Sequence, residues 1–206
     1  MTVAEFKLEP INNPESFDNP FVKKIREHQI FFHRTMDCFR EEDSNFRPND
    51  NMLTAAGQVL HVTMAIEFFL SGMFGPYDGF GPLSRRDRGF SDMGWTEIAD
   101  NQELDLLLNA DVWPKAIEAS KSIAKALELF DQTMDTAAEM FGSMTLQQIE
   151  TEQLPENLVF PPLYTYSDVL EIMNDHTAHH RGSLVVYARL LGRDPKIPYF
   201  EMSEKL

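Results

Sequence analysis

Apolar residues recur along most of this chain at steps of three and four, and no stretch alternates apolar with polar at the period of a strand. The spacing predicts a first helix that opens at Asn19-Pro20. Asparagine is a good helix cap, and proline at the first helical position gives up an N–H that has no intrahelical partner anyway. This helix should run to about Asn45, burying Phe21, Ile25, Phe32, Met36 and Phe39, with Pro48 as its stop. A second helix is expected from near Asn51 through HVTMAIEFFLSG to the punctuation of Gly72, Gly75 and Pro76. A third runs from around Pro114 to Phe141 and stops at Gly142. The fourth is the best defined. Ser167 can cap it, Asp168 and Glu171 suit the positive end of its dipole, and Gly192 ends it with Arg189 and Arg193 at the negative end.

Between the second and third helices lies GPYDGFGPLSRRDRGFSDMGW, Gly75 to Trp95, with five glycines and two prolines. It reads as a long crossover, followed by one or two short helices over Thr96 to Leu108. The stretch TEQLPENLVFPPLYTY is expected to be extended and to return the chain across the molecule. Four long helices with two long connections indicate an all-α fold, a four-helix bundle. The chain reads as a single domain over 1–206, with an irregular arm at 1–18 and a tail at 193–206. It shows no repeat and no low-complexity tract.

Composition narrows the function. The 206 residues are 43% hydrophobic and 25% charged, as expected of one globular domain. Asp and Glu number 33 against 18 Lys and Arg, a net charge of −15, which repels phosphate backbones and anionic headgroups. No nucleic-acid or membrane partner is therefore expected. The start, MTVAEFKLEPINNPESF, lacks the basic and apolar segments of a secretory signal, and no run of some eighteen apolar residues is expected to span a bilayer. A soluble, cytoplasmic protein is the expectation. The single cysteine, Cys38, excludes an internal disulfide and a thiolate cluster. Glycine loops of the GxGxxG or GxxxxGK[ST] type, a GxSxG elbow and Glu-x-x-His repeats are all missing, so nucleotide, serine-hydrolase and di-iron chemistry lack support.

Histidine is where chemistry concentrates. His176 and His180, in NDHTAHHRGSLVVYARLLG, lie four apart and project from one helix face, a spacing at which two imidazoles can bind one divalent cation. Thr177 stands where a zinc protease needs glutamate. Steps of four and three along this helix give Val169, Met173, His176, His180, Ser183, Tyr187 and Leu190, a seam that should face the interior. Two buried imidazoles need partners or a metal, because an unpaired buried polar group costs about 1–3 kcal/mol. Core histidines satisfied by their neighbours are the competing reading. His61 offers a third ligand from the apolar second helix, where Gly57 and Ala65 leave space one turn to either side, although a lone helix histidine is more often a satisfied core or surface residue. Three histidines from two helices with one open position would make a catalytic site rather than a closed structural one. His179 lies about 100° from His180 around the helix and reads as a flanking hydrogen bonder. His28 and His33, five apart, diverge by about 140° and cannot chelate one ion together.

The combination of a histidine in the second helix, H-x-x-x-H-R-G in the fourth and then Tyr-x-Arg-x-x-Gly resembles the DinB/YfiT-like family of metal-dependent proteins. The matching residues are His61, His176, His180, Arg181, Gly182, Tyr187, Arg189 and Gly192, and IPYF resembles that family's Pro-Tyr tail. The resemblance implies a four-helix bundle, a homodimer, and a three-histidine divalent metal site on His61, His176 and His180. It also implies a small-molecule substrate, since activities in that family include metal-dependent transferases and isomerases that use low-molecular-weight thiols. Many members have no assigned activity. Zinc suits three imidazoles, and nickel fits as well.

Other features read more plainly. Arg85, Arg86 and Arg88 form a basic knot on the glycine-rich loop, able to grip an anion but more simply a solvated loop. Cys38 is expected to be buried, the eleven methionines to fill the core, and Asp175 to be a helix-surface carboxylate that stands beside His176. Two functional classes follow. One is a metal-dependent enzyme, either a thiol-dependent transferase or a metal-assisted hydrolase. The other is a non-catalytic metal-binding or dimerising helical module.

Overall fold

A computed structural model describes residues 18–75, 77, 79, 114–154, 160 and 163–199. The arm at 1–18 (except Asp18), the short helices expected over Thr96–Leu108, the arginine knot and nearly all of the Gly75–Trp95 loop lie outside the described residues. Within them the chain forms four long helices, α1 (Pro20–Met36), α2 (Ala55–Phe74), α4 (Ile123–Gly142) and α6 (Tyr166–Leu190), and two six-residue helices, α3 (Pro114–Ala119) and α5 (Leu146–Thr151). No strand occurs among the described residues, and the expected all-α bundle is what the chain forms.

α1 and α2 each pack against both α4 and α6, so the helices surround one core in the order α1, α4, α2, α6. Lys24 meets Glu171 and Phe31 meets Arg181, which makes α1 and α6 parallel. Phe74 packs on both Phe141 and Tyr166, so α2 runs with α4 and against α6. α2 and α4, successive long helices that run the same way, therefore place the end of one and the start of the other at opposite ends of the bundle. The core is aromatic and aliphatic. Phe32 stacks on Phe130 with centroids 4.5 Å apart, and Phe68, Phe141, Leu60 and Ile66 are fully buried around them. Each such side chain contributes on the order of 1.5–3 kcal/mol.

Helix ends depart from expectation where a local polar side chain outcompetes periodicity. Asn19 caps α1 as expected, accepting from the N–H groups of Phe21 and Val22, and its amide also donates to the Phe141 carbonyl, tying the start of α1 to the end of α4. Phe21 is only half-buried at the edge of the core. α1 stops at Met36, not near Asn45. The Asp43 carboxylate accepts from the Arg40 N–H and from the Arg193 guanidinium at 3.1 Å, holding a short 3-10 turn over Glu41–Asp43. Phe39 still reaches the core, but from this corner and not from the helix. The corner then serves α4, because the N–H groups of Ile123 and Ala124 bond to the side chains of Ser44 and Glu41.

α2 starts at Ala55, four residues later than expected, because the Thr54 hydroxyl accepts from the Gly57 N–H. It passes through Gly72 and ends at Gly75, whose φ of +84° favours glycine. α2 also corrects the expectation about apolar runs. Its 20 residues are long and apolar enough to cross a bilayer, yet the helix is almost wholly buried inside the bundle, so the core accounts for its character. The expected third helix is broken, since Ser122 caps a new start by accepting from the Lys125 N–H. α5 lies just ahead of the stretch expected to be extended, sharing only Thr151 with it; Thr145 and Gln148 cap each other, and a bridge between Gln153 and Thr165 leads towards α6. α6 is capped by Thr165, two residues before Ser167, with Asp168 returning the bond to the Thr165 N–H.

Candidate metal centre

α2 and α6 lie antiparallel along one side of the core, and the apolar residues around their histidines fix where the imidazoles meet. On α2, His61 sits one turn from buried Gly57 and Ala65, and those small side chains leave its ring room. On α6 the predicted seam holds from Val169 through Met173 to Tyr187, with His176 and His180 between them and partly buried. It fails at Leu190, which is 59% exposed. The Tyr187 hydroxyl already reaches the Leu53 carbonyl, just before α2 begins, so the helix outruns its cover beyond that point.

His61, His176 and His180 are brought together. The His61 ring centroid lies 5.3 Å from that of His176 and 4.6 Å from that of His180, and the two α6 rings are 4.6 Å apart. One ligand nitrogen from each falls within 4.8 Å of the other two. Some point then lies within about 2.8 Å of all three, against ~2.0–2.1 Å for a zinc–imidazole bond, so small ring rotations suffice to close the site. The donor chemistry fits as well. Burial is the largest influence on all three, lowering His61 and His176 to about 4 and His180 to about 2, with the neighbouring histidines adding to the effect. At neutral pH each ring is uncharged and keeps a lone pair for a cation. His176 Nδ1 is buried and has no hydrogen-bond partner, an orphaned atom of the kind a ligand would satisfy.

The surroundings are apolar on one side and hydrogen-bonded on the other. Phe69 meets the His176 ring at 6.0 Å, and Phe160 stacks on Phe69 at 6.1 Å. Opposite them, His180 Nδ1 lies 2.7 Å from Gln58 Oε1, the Gln58 amide nitrogen donates to the Tyr187 hydroxyl at 3.4 Å, and that hydroxyl donates to the Leu53 carbonyl at 2.8 Å.

The remaining histidines stand apart. His179 is exposed, its ring edge-on to His180 at 5.1 Å, and is not one of the three. His33 Nε2 meets Asp131 at 2.6 Å between α1 and α4, on a different side of the bundle. His28 packs against Phe31, and burial with the nearby Arg181 charge lowers it to about 4. Arg181 itself is buried, its guanidinium 5.4 Å from the Phe31 ring and 5.3 Å from that of Tyr199, whose hydroxyl it reaches at 3.2 Å. The Pro-Tyr tail thus closes on α1 and α6, where the Pro198 carbonyl also accepts from Arg34. Cys38 is half-buried, not fully buried as expected, and burial raises its thiol, which leaves it a poor nucleophile. Asp175 is exposed.

Sequence reading missed Gln58 and the Phe69–Phe160 wall. Gln58 did leave a signal, since it is one of few polar residues in a helix that is otherwise almost wholly apolar, and a buried amide demands partners. A family model described as the DinB superfamily matches residues 26–184. No curated protein and no solved structure matches the chain.

Proposed function

We propose, on the premise that this chain belongs to the DinB superfamily, that His61, His176 and His180 hold one divalent cation in a metal-dependent enzyme that acts on a small molecule. The observation that supports this most is the meeting of three uncharged imidazoles from two helices within 4.8 Å. Burial is the largest influence on each imidazole, and the charges that add to it come from neighbouring histidines, His179 included.

Bound there, a zinc or nickel ion would supply Lewis-acid polarisation of a substrate atom or hold a low-molecular-weight thiol as its thiolate. The protein's own residues do the rest. Three ligands from two helices would hold the ion and leave it a position open for substrate. Phe69 and Phe160 keep water from one flank, where an apolar part of the substrate would lie. The tail closure by Pro198 and Tyr199 steadies the far face of α6. We assign a thiol-dependent transferase as the first reading and a metal-assisted hydrolase as the second. A homodimeric, cytoplasmic protein completes the proposal.

Metal analysis of protein purified without chelator is the direct test, with wild type beside the double variant His61→Ala, His180→Ala. About one ion per chain, lost in the variant, is expected. No ion in either after reconstitution with zinc, nickel or cobalt overturns the proposal. Titrating the cobalt-loaded protein with a small thiol then separates the two reactions. A new sulfur-to-cobalt absorption supports thiol transfer, and an unchanged spectrum leaves hydrolysis.

A further inference from the structure

The three imidazoles are not held alike. His176 Nδ1 has no partner, whereas His180 Nδ1 ends a chain of hydrogen bonds through Gln58 and Tyr187 to the Leu53 carbonyl. All of this chain lies in or against the core, with Gln58 7% and Tyr187 0% exposed.

The polarity of that chain follows from its last member. A backbone carbonyl can only accept, so the Tyr187 hydroxyl, 2.8 Å from the Leu53 oxygen, spends its one proton there. Its oxygen then faces Gln58 as an acceptor, and Gln58 must turn its amide N–H groups towards it. A flipped amide would set the Gln58 oxygen against the tyrosine oxygen with no proton between them. Gln58 Oε1 is therefore what meets His180 at 2.7 Å, and since a carbonyl oxygen only accepts, His180 Nδ1 carries the proton. Nε2 is left with the lone pair.

We propose that Gln58 and Tyr187 are positioning residues for the metal centre, a relay that uses the Leu53 carbonyl to fix His180 as the Nδ1–H tautomer and to aim its Nε2 at the cation. The proposal rests on the metal-site reading. It also gives a physical reason for a tyrosine seven residues after His180: two turns along one helix face, its ring fills the core while its hydroxyl reaches past the start of α2. The Tyr187 ring packs nearly perpendicular to Phe46 with centroids 5.9 Å apart, which restricts where that hydroxyl can point. Partners of this kind set ring orientation and ligand basicity, and their loss typically costs roughly 10–100-fold in metal affinity.

The decisive experiment needs no metal. Long-range nitrogen–proton NMR of the metal-free wild type should show His180 protonated on Nδ1, and Gln58→Leu should move it towards the Nε2–H form. Zinc affinity, measured by competition with a chromophoric chelator, should fall roughly 10–100-fold in Gln58→Leu and less in Tyr187→Phe. It should also fall less in Gln58→Glu, whose carboxylate still accepts from Nδ1 but offers the Tyr187 oxygen no donor. A packing role alone would not distinguish the leucine from the glutamate variant while the metal-free forms melt alike. If Gln58→Leu does not fold, the wild-type tautomer and the glutamate variant still decide. An Nε2–H tautomer at His180 in the metal-free wild type overturns the relay, as does a Gln58→Leu protein that holds zinc as tightly as wild type. A wild type that takes up no zinc at all defeats the metal reading instead, and leaves the tautomer result to judge the relay.

Discussion

Along the α1–α4 side of the bundle, His33 meets Asp131 at 2.6 Å, Gln29 donates to the same carboxylate oxygen at 2.8 Å, and Arg26 pairs with Asp135. The Asp131 and Asp135 carboxylates there meet donors from α1. Along the α2–α6 side, His61, His176 and His180 find chiefly one another. The same side chain at similar depth is thus treated in two ways. Beside a carboxylate, histidine is finished by the fold. Beside two more histidines, in an apolar bundle, it is driven neutral and left with an unshared lone pair. An isolated buried histidine says little about function, whereas a group of them without a counter-charge is incomplete until a cation arrives.

The sharpest way to break this contrast is to remove one histidine from each side. His176→Ala is expected to weaken zinc binding by more than about 100-fold, beyond what loss of an outer-shell partner causes. His33→Ala should leave zinc affinity within a few-fold of wild type. Chelator competition on both proteins checks this, and equal losses would show that the two sides do not differ as described. A second, smaller effect concerns pH. In the metal-free protein the three rings titrate at about 4, 4 and 2, against 6.5 for an ordinary histidine. Between roughly pH 6.5 and 4 the unfolded chain therefore binds protons that the folded chain refuses. Stability must fall as pH falls through that window and be flat, for these groups, above about 7. The urea midpoint of wild type should drop more steeply from pH 7 to 4.5 than that of a variant with all three histidines changed to glutamine. Parallel curves would mean the rings are not desolvated.

Turning to the other side, Asp131→Ala strips an acceptor shared by His33 and Gln29. Leaving partly buried donors unpaired costs about 1–3 kcal/mol, several degrees in a chain of this size. Zinc affinity should not move. A melting temperature that held steady, or a metal site that weakened alongside, would show that the α1–α4 network is not the closed unit described above.

Those two sides were legible in the sequence to different degrees, for one physical reason. His176 and His180 could be paired because a single helix fixes their relative direction, and His61 could be added because small residues flank it in an apolar helix. His33 and Asp131 come from helices about a hundred residues apart, and nothing local marks them as partners. Gln58 was missed for the same reason, since its meaning depends on Tyr187 and Leu53 across the core. The long helices followed from period, because packing repeats every turn. Their ends did not, because single side chains decide them. Ser122 breaks a helix that reads as continuous, and Asp43 with Arg193 folds back the corner that cuts α1 short.

The smallest effect tests whether the α6 histidines are placed by their helix as a rigid unit or by its end. Thr165 caps α6 by accepting from the Asp168 N–H while Asp168 bonds back to the Thr165 N–H, and this closes two donors that the helix itself cannot satisfy. Thr165→Ala should cost about 1 kcal/mol, a fall of roughly 2–4 °C in melting temperature. His176 sits eleven residues, about three turns, further along, and Met173, Thr177 and Leu184 are buried on the turns around it. Fraying at the first turn should therefore stop well short of the site, and zinc affinity should change by less than about 2-fold. If the cap variant lost zinc as strongly as it lost stability, the imidazoles would owe their meeting to how α6 begins, and the core around Met173 and Tyr187 would not be what holds them in place.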